Sequence, residues 1–291
     1  MRPLPACDAV VVGYPGHADL PLARLLARGR PIVFNPLVSL WDTLVQDRGR
    51  FAHGSVAART LALADRVALR AADLVVADTE ANAAFLARLG DLPRSEVAVC
   101  LVGAEERVFR PGWSRSEPFR CLFVGKLIPL HGLETILAAA ERAPDVRFRI
   151  VGSGQLEPLL ARRPVNVDWV PWVEYERLPD ELHRCGCALG VFGASDKAAR
   201  VIPNKVFQAL ACGAPVVTAN TRAARELLAD GESAVLVPPG DADALAAAVR
   251  RLRDDDLLAT RIAASGAAAY RARASEAVLG ARWRRLIEAR L

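Results

Sequence analysis

No stretch of the 291-residue chain approaches the ~18 uninterrupted apolar residues that a membrane span requires. Its start, Met1-Arg2-Pro3-Leu4-Pro5, lacks the basic, then apolar, then small-residue layout of a secretion signal, so a cytoplasmic location is the default expectation. Cysteine is sparse and scattered: Cys7, Cys100, Cys121, Cys185, Cys187 and Cys212. The one close pair, Cys185-Gly186-Cys187, has neither zinc-ribbon nor redox spacing, so reduced core residues are expected rather than a metal site or a disulfide scaffold. A net charge of +5 is spread without the Lys/Arg block that marks a nucleic-acid arm. Lysine itself is rare. Of 38 basic side chains only Lys126, Lys197 and Lys205 are lysine, which singles them out as places where a compact, flexible ammonium is wanted and a wide guanidinium is not. What is abundant is apolar: 52% hydrophobic and 24% charged residues describe a globular chain of one large or two ordinary domains, and exclude fibrous and disordered classes.

Short β-rich apolar runs alternate with segments of helical period. The runs at 9–12, 31–34, 74–77, 97–101, 121–124, 148–151, 165–169, 187–192, 215–218 and 234–237 read as strands. Residues 20–27, 56–71, 80–88, 133–141, 175–183, 205–211 and 241–252 read as helices, and about 255–291 adds two or three more. Such alternation predicts right-handed βαβ units and parallel sheets covered on both faces. Periodicity stops at Arg110-Pro111-Gly112-Trp113-Ser114-Arg115-Ser116-Glu117-Pro118, where Pro, Gly and Ser collect. The expected division is therefore a first domain at 1–111, a linker at 112–118 and a second domain at 119–272. A C-terminal helix at 273–291 packs on its own domain or bridges to the first. Two such α/β domains place a ligand cleft at the carboxyl ends of their sheets.

Three segments carry chemistry. Phe123-Val124-Gly125-Lys126-Leu127-Ile128-Pro129-Leu130-His131-Gly132 runs off a strand into a helix, whose free N–H groups, with Lys126 and His131, suit a diphosphate; the alternative is an ordinary strand-to-helix turn. Val151-Gly152-Ser153-Gly154 lets a ligand approach the backbone but lacks the third glycine of a dinucleotide fingerprint, which argues against a nicotinamide enzyme. In Gly190–Val217 a strand empties into a loop holding Lys197 and Arg200, Pro203 opens a helix, and Gly213 stops it before the next strand. Either an anion binds there or the loop is simply solvated.

Together, at these spacings, the segments resemble the nucleotide-sugar-binding domain of retaining family-4 glycosyltransferases of the GT-B fold, two Rossmann-like doubly wound domains facing a cleft. Gly125-Lys126 through His131-Gly132 is similar to the family's Gly-Arg-Leu…Lys-Gly turn, and Val151–Gly154 to its Val-Gly-x-Gly turn. Gln208-Ala209-Leu210-Ala211-Cys212-Gly213-Ala214-Pro215-Val216 is similar to its Glu-Ala-x-Ala-x-Gly-x-Pro-Val run, and Glu226, Asp230-Gly231 and Pro238–Asp241 fit as well. The resemblance covers about residues 119–253. Departures are equally plain: Lys126 stands for Arg, His131 for Lys, and the family's paired glutamates fall at Arg200 and Gln208. The resemblance implies sugar transfer from a nucleoside diphosphate donor to an acceptor hydroxyl with retention of configuration, and no metal or other cofactor. It implies Lys126, Arg200 and Lys205 as the catalytic cations on the phosphates, helped by His131. Donor binding falls to Gly125, Gly152, Gly154, Asn204 on sugar or phosphate, Gln208 on the ribose, and Trp172-Val173 on the base.

Residues 1–111 hold only about four strands, and the resemblance there is looser, so the first domain is expected to be incomplete. Met1 is the chain's only methionine, and a start assigned too late is the favoured account; a separate polypeptide supplying the missing strands, or a shortened relative, are the others. His17 and Asp42 are acceptor-side candidates, each with a local hydrogen-bonding role as the alternative. The Leu/Arg mixture of Leu20–Arg30 suits a peripheral contact with the inner face of a membrane carrying a lipid-linked acceptor, or an ordinary helix on a sheet. The competing functional reading is a truncated or non-catalytic nucleotide-sugar-binding subunit that needs a partner chain.

Overall fold

The computed structural model describes residues 7–115 and 117–291; the Met1–Pro5 start and Ser116 of the expected linker lie outside the described residues. The chain divides into two compact units, one formed by residues up to Leu101 together with Leu279–Leu291, the other by Val102–Val278.

The first unit runs β1 (Val10–Val12), α1 (Leu20–Ala27), β2 (Ile32–Phe34), a π-helical turn (Asp42–Asp47), α2 (Val56–Ala71), β3 (Leu74–Ala77), α3 (Glu80–Gly90) and β4 (Val97–Val99). Side chains start the longer helices: Ser55 Oγ accepts the Ala58 N–H and Thr79 Oγ1 that of Asn82. The strands are all parallel in the order β1-β2-β3-β4. Because every crossover steps the same way, right-handedness brings α1, α2 and α3 to one face. Leu20, Leu69 and Leu86 are buried there against Ile32, Phe34 and Val75. On the other face Val33, Leu74, Val76 and Cys100 pack under Leu279, Trp283, Leu286 and Ile287 of the C-terminal helix (Glu276–Glu288). Among the described residues, β1 stands at one edge of this sheet and β4 at the other.

The second unit runs β5 (Arg120–Val124), α4 (Leu133–Arg142), β6 (Arg147–Val151), β7 (Val167–Val170), α5 (Leu178–His183), β8 (Cys187–Leu189), α6 (Asn204–Cys212), β9 (Val216–Ala219), β10 (Val235–Val237), α7 (Ala242–Asp254) and α8 (Asp256–Arg273). Its six parallel strands are ordered β10-β9-β8-β5-β6-β7, a complete doubly wound sheet. Phe123, Phe148 and Phe192 are wholly buried in its core, each stabilising the fold by about 2–3 kcal/mol.

Three details differ from the sequence reading. The segment 102–115 packs on the second unit: Phe109 is buried edge-on to Tyr175, the Trp113 indole N–H donates to the Cys185 carbonyl (2.7 Å), and the Gly112 and Trp113 amides donate to the Cys212 carbonyl. The boundary therefore falls near 101, because two aromatic anchors outweigh the loop-like composition around Pro111. The expected strand at 165 starts at Val167, since the Asn166 amide donates to the Ala140, Ala143 and Val146 carbonyls and turns the chain, leaving Val165 exposed. The strand expected to reach residue 192 ends at Leu189, beyond which the Phe192 amide donates to the His131 carbonyl.

Among the described residues, no helix is long and apolar enough to cross a membrane, all six cysteines are free thiols, and no cluster of His, Cys, Asp or Glu is placed to hold a metal.

Candidate functional site

In the second sheet the winding direction reverses between β5 and β8, and the crevice outside their carboxyl ends is where a doubly wound sheet takes its ligand. Three loops meet there. The turn after β5 and the turn after β6 lie backbone on backbone. Gly125 N–H donates to the Val151 carbonyl (2.9 Å), Leu127 N–H to Ser153 (3.0 Å) and Leu156 N–H to Leu127 (2.9 Å). A Cβ on Gly152 would sit 2.0 Å from the Gly125 oxygen, and one on Gly154 2.8 Å from that of Leu127, with both glycines at positive φ. These two glycines thus admit the neighbouring turn, which is a structural reason for them beside the ligand approach expected from sequence.

The β5 turn also meets the loop after β8. Gly132 takes φ 70° as the first cap of α4, where, among the described residues, no side chain caps the helix. Its own Cβ would stand 2.6 Å from the Phe192 carbonyl carbon. His131 is buried between these loops, its ring edge-on to Phe123 and its Nδ1 2.5 Å from the Lys126 carbonyl. Burial, and next the neighbouring Lys205, hold its pKa down to about 3. At neutral pH the imidazole is uncharged and braces the Lys126 turn through Nδ1–H.

Lys126 is exposed at that turn. Lys205, in the first turn of α6, reaches under Gly125: its Nζ lies 4.1 Å from the Phe123 ring centroid and would be 3.0 Å from a Gly125 Cβ. Burial pushes its pKa well below the usual lysine value. Lys197 precedes and Arg200 ends a short 3₁₀ turn (Ala198–Arg200) and both are buried, while Asn204 is exposed at the start of α6. Gln208, one turn further along α6, is half-buried with its amide in hydrogen-bonding reach of the Tyr175 hydroxyl, which also faces Glu105. Trp172 (70% exposed) and half-buried Val173 follow β7, two strands from β5. Tyr175 and Glu105 were not singled out from sequence: Tyr175 read as the start of a helix and Glu105 as part of a loop.

His17 and Asp42 belong to the first unit, where one network holds both. Asp65 of α2, on that helix's buried face with Ala58, Ala68 and Leu69, accepts from Ser39 Oγ (2.7 Å) and from the amides of Leu40 and Trp41 (2.9 Å each). His17 Nε2 lies 3.2 Å from its Oδ1, and the Asp42 amide donates to Ser39 Oγ (3.0 Å). Both candidates are buried. Asp65 escaped the sequence reading, although a carboxylate on the apolar face of a helix was its signal. A cavity of about 860 Å³ opens at the opposite, amino ends of β5 to β7; Asp145 on its rim is paired with Arg250 and Arg253, and it lies away from the glycine turns.

Residues 118–255 match the family described as glycosyl transferases group 1. The chain is similar to the lipopolysaccharide core biosynthesis glycosyltransferase LpsE of Rhizobium meliloti (strain 1021), 24% identical over 214 residues that cover 62% of this chain and 63% of that protein. It is similar also to a D-inositol 3-phosphate glycosyltransferase of Acidothermus cellulolyticus, 32% identical over 268 residues covering 81% and 58%. The chain spans about half the length of the curated relatives it matches, 40% to 63% for these and others. Among solved structures, sucrose-phosphate synthase from Thermosynechococcus elongatus aligns with a TM-score of 0.77 at 20% identity, over 97% of this chain and 74% of that one. Anabaena Alr3699/HepE, solved in complex with UDP-glucose, aligns with a TM-score of 0.75 at 17% identity, over 97% and 79%. The paired parallel sheets are those of the GT-B glycosyltransferase fold. Within that class, residues 118–255 are the part of the chain that is similar to the glycosyl transferases group 1 family.

Proposed function

We propose that the protein is a glycosyltransferase that moves a sugar from a nucleoside diphosphate donor to an acceptor hydroxyl with retention of configuration. The observation that carries this reading is the convergence, at the switch point of the second sheet, of an uncapped helix start with Lys126 and Lys205 on interlocked turns. Breaking the glycosidic bond leaves negative charge on the departing diphosphate. Donors fixed in advance around that charge favour the transition state over the bound donor, because they need not reorganise as it develops. Lys126, Arg200 and Lys205 supply the cations and the first turn of α4 its N–H groups. In this reading neither a metal nor another cofactor takes part, and His131 keeps the turn in shape. Asn204 bonds sugar or phosphate, Gln208 the ribose, and the exposed Trp172 ring with Val173 receives the base.

The acceptor is handled by the first unit, with His17 and Asp42 as its candidates and a glycan or lipid-linked molecule as the acceptor class. A peripheral, cytoplasmic-face membrane contact fits the outward Leu22, Leu25, Leu63 and Val67 set among Arg24, Arg28, Arg59 and Arg66 on α1 and α2. The open edge of β1 would accept strands from a partner chain.

The test is titration of the purified chain with UDP, GDP and ADP, followed by thermal stability, and then incubation with sugar conjugates of the tightest binder. Stabilisation with slow release of nucleotide supports a working transferase. Stabilisation without turnover favours the non-catalytic subunit, and no stabilisation by any of the three rejects the donor site. Lys205→Ala is expected to fold and to lose at least about tenfold in donor affinity or turnover, the effect of about 1.4 kcal/mol; unchanged kinetics would remove Lys205 from the site.

A further inference from the structure

Lys205 Nζ is sealed from solvent and has no hydrogen-bond partner, although part of its stem is exposed. The side chain borders a small pocket whose other walls are apolar apart from Gln208. Leu122 and Val124 come from β5, Ala188 and Leu189 from β8, Leu178 and Leu182 from α5, and Gln208 lies one turn along its own helix. The Phe123 ring lies under the nitrogen and the side-chain-free Gly125 lies over it. Among the described residues that line this pocket none is acidic, and the ionisable group that faces it is the neutral His131.

An ammonium stripped of water and left unpaired in such a pocket costs more than the face of a phenylalanine returns. The balance favours the uncharged amine, in line with the direction in which burial moves this lysine. That balance reverses when the charges of a diphosphate arrive on the far side of Gly125, because opposite charge a few ångströms away in a poorly screened site favours the protonated form.

Building on the donor site proposed above, we propose that Lys205 stands as a neutral amine in the free protein and is protonated as a nucleoside diphosphate seats on the Gly125 turn, so that donor binding and uptake of one proton are a single event. The proton comes from the medium: the Nζ lone pair forms the new N–H bond, a buffer acid gives up its proton, and no other bond changes. The site then acquires its central cation only when there is a leaving group to stabilise.

Calorimetric titration of the full chain at pH 8 with UDP, or with whichever of UDP, GDP and ADP binds, in two buffers of widely different ionisation enthalpy, counts the protons. About one proton taken up per nucleotide is expected, with affinity falling up to about tenfold per pH unit between pH 8 and 9. Lys205→Met and Lys205→Arg are both expected to bind without proton exchange, the first weakly and the second through a permanent guanidinium, while His131→Asn retains the uptake. Binding with a buffer-independent enthalpy in the natural chain overturns the proposal, as does loss of the uptake in His131→Asn. Absence of any nucleotide binding is a different result, because it overturns the donor site itself.

Discussion

His131 gives the second unit a measurable acid sensitivity. In the unfolded chain its imidazole titrates near 6.5, whereas in the fold it is held neutral down to about 3. Between those values the unfolded state binds the extra proton, so stability rises with pH across the window and is lost as pH falls below 6.5. Each pH unit well inside the window is worth about 1.4 kcal/mol, and lowering the pH from 7 to 5 therefore removes about 2 kcal/mol through this group alone. For a unit of this size that is about 4–8 °C in Tm. The perturbation is His131→Asn, which keeps an N–H to donate to the Lys126 carbonyl but does not titrate. Thermal unfolding of both proteins at pH 7, 6 and 5 cancels every other titrating group in the difference. The variant is expected to gain on the natural protein by about 2 kcal/mol over those two pH units. Parallel curves would refute the reasoning, since a histidine able to accept a proton in the fold contributes no such slope.

Gly152→Ala drives a Cβ to 2.0 Å from the Gly125 carbonyl oxygen at a φ of 141°, and should cost about 3 kcal/mol or more, against about 1 kcal/mol for Gly231→Ala, where φ is 69° but space is open; equal losses in thermal melts would contradict turn-on-turn packing. Asp65→Asn leaves one of the Ser39, Leu40 and Trp41 donors facing an amide, and is expected to destabilise the first unit by about 2–4 kcal/mol in urea unfolding followed by Trp41 fluorescence, with a loss under about 1 kcal/mol counting against the network. Lys205→Met removes an unpaired buried nitrogen and should stabilise the second unit at pH 7, by an amount that changes by about 1.4 kcal/mol per pH unit. That advantage should shrink as pH rises toward 10, because the unfolded lysine alone carries the proton in that range, and a pH-independent difference would show the folded amine to be charged.

The alternation of apolar runs and helical periods was enough to read two parallel sheets, because the inner strands, such as β2, β3, β8 and β9, are buried on both faces and their composition says so. Strand positions followed wherever a run had the length of a real strand. Val165 misled because an apolar β-branched residue can stand wholly outside a sheet when its neighbour, Asn166, has other carbonyls to satisfy. Phe109 and Trp113 misled in the opposite sense: anchors buried by tertiary contacts look like any aromatic in a Pro- and Gly-rich stretch. The glycines after β5 and β6 were visible as turns, but what each one admits is a matter of distance and not of pattern. The scarcity of lysine drew attention to residue 205, yet its isolation comes from Phe123, Leu182 and Leu189, residues far apart in the chain. The neutrality of His131 was equally out of reach, since a reference pKa carries no information about burial.

The turns after β5, β6 and β8 hold one another largely through main-chain atoms, which no single substitution exchanges. A scaffold built this way resists stepwise remodelling: altering one loop obliges the other two to move with it. Under the proposed function, donor preference would therefore be retuned at the rim, around Trp172 and the start of α6, where single replacements leave the shared scaffold untouched. A laboratory library aimed at a new nucleotide sugar should randomise that rim and leave positions 125, 132, 152 and 154 as glycine.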